Sequence, residues 1–141
     1  MSQRAFHVSL YVTDIPAAVE RYRRILGVEP AKVRPEYAKF ELADPPAVVS
    51  LNLGGAPGTV GHLGIRHPGT ADVATELVRV RREGLEALTQ SGVTCCYATS
   101  DKFWVRDADG MRWEVYANTG DADAYVLPNA EPETKCCAAS G

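Results

Sequence analysis

An α+β fold of two βαβββ modules, with the helices outside a concave mixed sheet, is what this sequence predicts. Three observations carry the prediction. An alternating strand at 5–12 has a counterpart at 61–67, each is followed by an amphipathic helix, and a glycine-rich stretch at 54–58 separates the two runs. The repeat is one of element order, because identity between the halves is slight.

In the first run, Phe6, Val8, Leu10 and Val12 fall on one face of the strand, and Ala5, His7, Ser9 and Tyr11 on the other. Asp14 is placed to cap a helix with Pro16 in its first turn; Ala18, Val19, Tyr22, Ile25 and Leu26 form its apolar stripe, and Gly27 ends it. Three short strands follow at 29–33, 37–42 and 48–53, divided by Pro35-Glu36 and by Asp44-Pro45-Pro46. In the second run, Leu63 and Ile65 oppose His62, Gly64 and Arg66. Thr70 is the expected cap of a helix carrying Val73, Leu77 and Val80 and closing near Gly84. A short strand is expected at 85–88, a cysteine-bearing loop after it, and a hairpin of 102–106 with 112–117 across Asp107-Ala108-Asp109-Gly110. The expected organisation is therefore one domain over 4–118 (modules 4–56 and 58–118) and a polar tail over 119–141.

Length, 141 residues, suits one compact core, and a composition of 45% hydrophobic and 23% charged residues is ordinary for a globular chain. Fifteen basic against eighteen acidic residues leave a net charge of −3, without a basic stripe, so no nucleic-acid partner is expected. No run has the length of a membrane span, and the N-terminal MSQRAFHVSLYV has neither a long apolar region nor a small-residue cleavage site. A cytoplasmic protein without a membrane partner is the expectation, as monomer or homodimer.

Chemistry concentrates in 92–104, GVTCCYATSDKFW, around the adjacent pair Cys95–Cys96. Neighbouring Cα atoms lie about 3.8 Å apart across a trans peptide, against roughly 4.4–6.8 Å in an unstrained disulfide. The pair reads as a dithiol for a soft, thiophilic centre, although two buried cysteines can also serve as small hydrophobes. Gly92, Thr94, Ser100 and Asp101 have the turn character that would let both sulfurs reach one atom. A second pair, Cys136–Cys137, lies in the tail and is read as dispensable.

His7, His62 and Glu114 each lie on a strand, on the face opposite its most apolar residues, and His7 holds the place in its unit that His62 holds in the second. A lone half-buried histidine is commonly structural, whereas three such residues at corresponding strand positions favour a metal. Two imidazoles and a carboxylate make the facial triad expected of non-haem Fe(II), though Zn(II), Mn(II) or Ni(II) could bind the same set. The position matching Glu114 in the first unit falls near Ser50 or Asn52, which favours three protein ligands over four. Lys102 is a candidate to stabilise an anionic oxygen, or else a solvated strand-end lysine; Tyr97 is a candidate to wall the pocket or hydrogen-bond an oxygen, or else a packing residue, with Tyr37 weaker. His67, before Pro68, is expected at the surface.

Most of 4–118 resembles the vicinal oxygen chelate superfamily, through LYVTDIPAAVERYRRILGVEPAK (10–32), FWVRDADGMRWEVY (103–116) and the placement of His7, His62 and Glu114. A narrower resemblance, to bacterial carbon–arsenic lyases, rests on PAKVRPEYAKFELADPP (30–46), GHLGI (61–65), TCCYATSDKFWV (94–105) and WEVY (113–116). It implies an Fe(II)- and O₂-dependent dioxygenase that cleaves the carbon–arsenic bond of trivalent organoarsenicals. Methylarsonous acid and trivalent aromatic arsenicals would be its substrates, free or as thiol adducts, and arsenite would be released. In that resemblance Cys95 and Cys96 hold arsenic, and His7, His62 and Glu114 hold iron. The competing readings are a thiol-based arsenical-binding protein without turnover, and a glyoxalase-like isomerase or fosfomycin thiol transferase on the same scaffold.

Overall fold

The computed structural model describes the backbone of residues 3–95 and 98–121 and the side chains of residues 3–92 and 100–120. Strand β1 (Ala5–Tyr11) leads into helix α1 (Ile15–Leu26), then β2 (Lys32–Arg34), β3 (Tyr37–Ala43) and β4 (Pro46–Asn52). The second run is β5 (Val60–Arg66), α2 (Thr70–Arg82), β6 (Leu88–Cys95), β7 (Ala98–Arg106) and β8 (Arg112–Asp121). All eight strands join one sheet in the order β2-β3-β4-β1-β5-β8-β7-β6. In each run the first strand lies parallel to the last, β1 beside β4 and β5 beside β8, and the two first strands pair antiparallel at the centre.

The local signals act as their chemistry requires. The Asp14 carboxylate accepts the Ala17 amide at 2.9 Å, and Gly27 closes α1 in the left-handed region at φ +73. Helix α1 sets Ile15, Ala18, Val19, Tyr22 and Leu26 on Ala38, Phe40, Val49 and Leu51, while Ile25 is left exposed. Helix α2 sets Val73, Leu77 and Val80 on Phe103 and Ala117. Its N-cap is Gly69 and not Thr70, with the Asp72 carboxylate accepting the Gly69 amide at 3.2 Å.

Both helices cover one face of the sheet. Strand alternation turns His7, Ser9, Ser50, Asn52, His62, Lys102, Arg112, Glu114 and Tyr116 to the other, and all of them are buried. The sheet curls around that face, bringing β5 and β7 side chains into contact across β8: the rings of His62 and Trp104 stand 5.1 Å apart. No helix among the described residues is long and apolar enough to cross a membrane.

The strands of the second run differ from the sequence expectation. Residues 85–87 are not strand. The stretch expected as a loop is largely a hairpin of β6 and β7, ending at Cys95 on one side and resuming at Ala98 on the other. Gly92, read as a loop signal, is instead a bulge: it adopts φ +62, the β6–β7 register shifts between Gln90 and Val93, and its amide is held by the Asp101 carboxylate at 2.6 Å. Strand β8 runs on to Asp121, past the expected start of the tail, because β7 pairs with it as far as Ala98.

Gly64 fixes how closely β5 and β8 approach. A Cβ there would stand 2.6 Å from the Glu114 carbonyl oxygen and 3.3 Å from the Glu114 Cβ. Gly64→Ala is therefore expected to force β8 away, lowering stability by roughly 1–3 kcal/mol. It should also weaken divalent-metal affinity, by displacing Glu114. Thermal melts and a metal titration check this; an unchanged Tm together with unchanged affinity would rule it out.

Candidate metal centre

Three strands that are neighbours in space supply the site: β1 contributes His7, β5 His62 and β8 Glu114. One ligand atom from each lies within 4.8 Å of the other two, and all three residues are buried. Glu114 Oε1 faces His62 Nε2 at 3.4 Å and His7 Nδ1 at 4.0 Å. The other carboxylate oxygen, Oε2, accepts from Lys102 Nζ at 2.6 Å. Lys102 is thus neither solvated nor at a strand end; it is 4% exposed and bound to the candidate ligand.

His7 is held from both sides, Nε2 against Ser50 Oγ at 3.0 Å and Nδ1 against the Tyr116 hydroxyl at 2.7 Å. Of Ser50 and Asn52, the two residues matched to Glu114 in the first run, Ser50 is a partner of His7. Asn52 Nδ2 donates to Ser9 Oγ at 2.8 Å. Tyr37 is buried on this face. His67, expected at the surface, is buried instead, because its amide donates to the Tyr116 carbonyl at 2.7 Å and ties the end of β5 to β8; it is not part of the cluster.

His62 supplies the test of whether these residues fit a metal. It is 1% exposed, and neither of its ring nitrogens has a hydrogen-bond partner among the described residues, although Nε2 faces Glu114. Two orphaned nitrogens in the interior are costly unless something outside the chain satisfies one. The protonation states suit a cation as well. Burial, reinforced by the neighbouring His62 and opposed by Glu114, lowers the His7 pKa from 6.5 to about 3, so the ring is neutral near pH 7. For Glu114, burial pushes the carboxyl up, but Lys102, then His62 and His7, outweigh it and hold the group well below the usual carboxylate range. A neutral imidazole and an ionised carboxylate are the forms that ligate. The donor set fits a divalent first-row metal.

These shifts make stability depend on pH. Between about pH 3 and 6.5 the unfolded chain takes up a proton on His7 that the folded chain excludes. That contribution is complete above pH 6.5 and is lost as the pH falls through this window; Glu114 adds a loss in the same direction below the ordinary carboxylate value of 4.5. Chelator-treated protein is expected to melt several degrees lower at about pH 5 than at about pH 7, and His7→Gln should flatten that slope. Melting curves across the range decide it; an identical slope in the variant counts against His7 as the source.

Of the cysteine loop, Cys95 is the last residue of β6 and pairs in register with Ala98, while Cys96 and Tyr97 lie outside the described residues, as do Cys136 and Cys137. The structure does not bring the Cys95 backbone to the cluster. Ala98 pairs with Asp121, seven residues along β8 from Glu114, which is roughly 20 Å of strand. The side chains that sequence reasoning left unassigned are Tyr116, Trp104, Arg112 and Tyr11. Tyr116 and Arg112 share the face of Glu114 by simple alternation, and that was the available signal.

A family model described as the Glyoxalase/Bleomycin resistance protein/Dioxygenase superfamily matches residues 4–115. The cadmium-induced protein CadI of Mycobacterium tuberculosis is 41% identical over 119 residues, which are 84% of this chain and 78% of that protein. A trivalent organoarsenical cleaving enzyme of Bacillus sp. strain MD1 is 41% identical over 134 residues, 93% of this chain and 81% of that enzyme. In fold, the chain is similar to homoprotocatechuate 2,3-dioxygenase of Arthrobacter globiformis. The TM-score is 0.63 at 17% identity, covering 86% of this chain and 38% of that one.

Proposed function

Because the chain belongs to the Glyoxalase/Bleomycin resistance protein/Dioxygenase superfamily, we propose that it is an Fe(II)- and O₂-dependent enzyme cleaving the carbon–arsenic bond of trivalent organoarsenicals. Methylarsonous acid and trivalent aromatic arsenicals are the substrates, and arsenite is the product. The observation that carries the reading is the buried His62 imidazole, its nitrogens unmet within the described chain, beside an ionised Glu114 and a neutral His7. The relative named as a trivalent organoarsenical cleaving enzyme supports the substrate class.

In this reading His7, His62 and Glu114 hold the metal, and Fe(II) with open positions supplies O₂ binding and activation when bound. Ser50 and Tyr116 each meet one His7 ring nitrogen; the nitrogen that ligates would give up its bond to the metal, and the other bond orients the ring. Lys102 occupies Glu114 Oε2 and leaves Oε1 facing the two imidazoles, so its role is to position the ligand. Cys95 and Cys96 hold arsenic as thiolates, the soft donors that a trivalent arsenical prefers. Delivery of the dithiol requires the β6–β7 tip to fold towards the cluster. Register shifts interrupt the β6–β7 ladder between Gln90 and Val93 and the β7–β8 ladder between Thr99 and Ser100. With methylarsonous acid the atoms balance as one O₂ consumed, the carbon–arsenic bond broken, and arsenite and formaldehyde released.

Purified protein is loaded with Fe(II) under anaerobic conditions, methylarsonous acid is added, and O₂ is admitted. Arsenite and formaldehyde are expected in equal amounts over many turnovers. Stoichiometric retention of the arsenical without arsenite would favour the thiol-binding alternative, and product without iron or oxygen would overturn the mechanism. Cys96→Ser is expected to weaken arsenical binding by about tenfold or more while iron content is unchanged, since it removes one of two thiolate bonds. Arsenic affinity and iron content falling together would count against two separable sites.

A further inference from the structure

The two runs meet antiparallel at β1 and β5, and their registers repeat each other. In the second run Gly64 pairs with Glu114, and His62 lies two residues before Gly64 on the same face. In the first run Ser9 pairs with Ser50, and His7 lies two residues before Ser9. Ser50 is therefore the register counterpart of Glu114, and the side chains keep the correspondence. His62 turns Nε2 to the Glu114 carboxylate at 3.4 Å, and His7 turns Nε2 to the Ser50 hydroxyl at 3.0 Å. His7 Nδ1 also stands 4.0 Å from Glu114 Oε1, so its two nitrogens are rivals for an ion. The shorter bond is that of Nδ1, 2.7 Å to the Tyr116 hydroxyl, which makes Nε2 the nitrogen more easily released.

A hydroxyl in place of a carboxylate changes what that corner can do. It is neutral and a poor ligand for a first-row divalent ion, so a coordination position stays open where a fourth protein ligand would sit. It also carries one O–H donor. Ser50 is buried, and its oxygen is approached from behind by Asn52. That amide, wholly buried, donates to Ser9 Oγ at 2.8 Å and more distantly to Ser50 Oγ at 3.5 Å. With its oxygen accepting from Asn52, Ser50 has its proton to give, and in the chain alone His7 Nε2 receives it. Asn52 Oδ1 is buried without a partner among the described residues, so an acceptor beside Ser50 is also unused. Such an atom in the interior calls for a partner from outside the chain.

We propose that Ser50 marks the coordination position open to an outside ligand, and that its hydroxyl, released when the ion takes His7 Nε2, donates to that ligand. The ligand class is a small anion bound to the ion. A hydrogen bond to a charged acceptor is stronger than one to a neutral ring, so the exchange favours the loaded state. The inference rests on the metal centre of the proposed function and not on carbon–arsenic cleavage.

The test uses the full chain with Co(II) as the ion and azide as the outside ligand, both read by visible absorbance. Ser50→Ala is expected to hold Co(II) at least as tightly as wild type, because a bond competing for Nε2 is gone. It should bind azide about tenfold more weakly, because a hydrogen bond to an anion is lost. Tyr116→Phe is expected to weaken Co(II) binding by about tenfold, since it removes the bond that orients the ring. Ser50→Glu restores the carboxylate of the matching position; Co(II) should bind more tightly and the azide bands should disappear. Co(II) weakened by Ser50→Ala and tightened by Tyr116→Phe would assign the ion to Nδ1 and overturn the proposal. Azide affinity that Ser50→Ala leaves unchanged, or azide bands that persist in Ser50→Glu, would overturn it too. Wild type that takes up Co(II) and azide as expected, yet releases no arsenite with Fe(II) and O₂, leaves the proposal standing and overturns the reading of the reaction. Wild type that takes up no Co(II) overturns both.

Discussion

His62→Ala is expected to abolish turnover and to reduce divalent-metal affinity by more than the roughly 10–100-fold typical of losing a residue that only supports a ligand. The cause is that His62 has no other employment: it is 1% exposed, and its nitrogens bond to nothing else among the described residues. Folding without metal should suffer less than the lost volume suggests. The substitution leaves a cavity, but it also removes a buried Nδ1 with no partner among the described residues, a group costing about 1–3 kcal/mol. In wild type, metal should raise the Tm as any ligand of the native state does, and in the variant that rise should vanish. Melting curves with and without anaerobic Fe(II), or Mn(II) as a substitute, read this directly. A variant keeping the wild-type rise would show that the metal binds elsewhere. Arsenical binding by the thiols should survive the change.

Lys102→Met is expected to destabilise the metal-free protein by about 3–5 kcal/mol, because it strips the counter-charge from a buried carboxylate. The pair is buried at both ends and closes at 2.6 Å, unlike the surface pairs of Arg23 with Glu20 or Arg79 with Glu76. Those exposed pairs are screened by water and should contribute far less. Left alone, Glu114 regains stability by taking up a proton, so metal affinity in the variant should become pH-dependent near neutrality. A bound divalent cation restores the missing positive charge, and the gap between variant and wild type should narrow on saturation with metal. The double variant Lys102→Met, Glu114→Gln should recover much of the lost stability, and the cycle of four proteins measures the coupling. A single variant that melts within a degree or two of wild type would mean that the pair is not buried in solution.

Both results turn on packing that a linear reading reaches only in part. Alternation in 5–12, 61–67 and 112–117 was enough to set His7, His62 and Glu114 on polar faces, and Asp14 and Gly27 were enough to bound α1, because these signals act within a few residues. The β6 strand was hidden for a physical reason. Gly92, Ser100 and Asp101 are turn-type residues, and here they build a bulge inside a ladder whose partner is β7. Lys102 carried no signal of its burial, since a lysine is almost always solvated and only the fold could place Glu114 within 2.6 Å of it.

By itself the sequence determined the order of elements, the faces of the strands and the residue types available for chemistry, for each of these follows from local periodicity and capping. Tertiary structure decided which of those residues meet. The curl of the sheet gathers His7, His62 and Glu114 from three strands, the bare Cα of Gly64 sets the spacing of two of them, and one indole divides Arg112 from His62. Contacts between residues tens of positions apart depend on register and strand approach, which no run of neighbouring residues encodes.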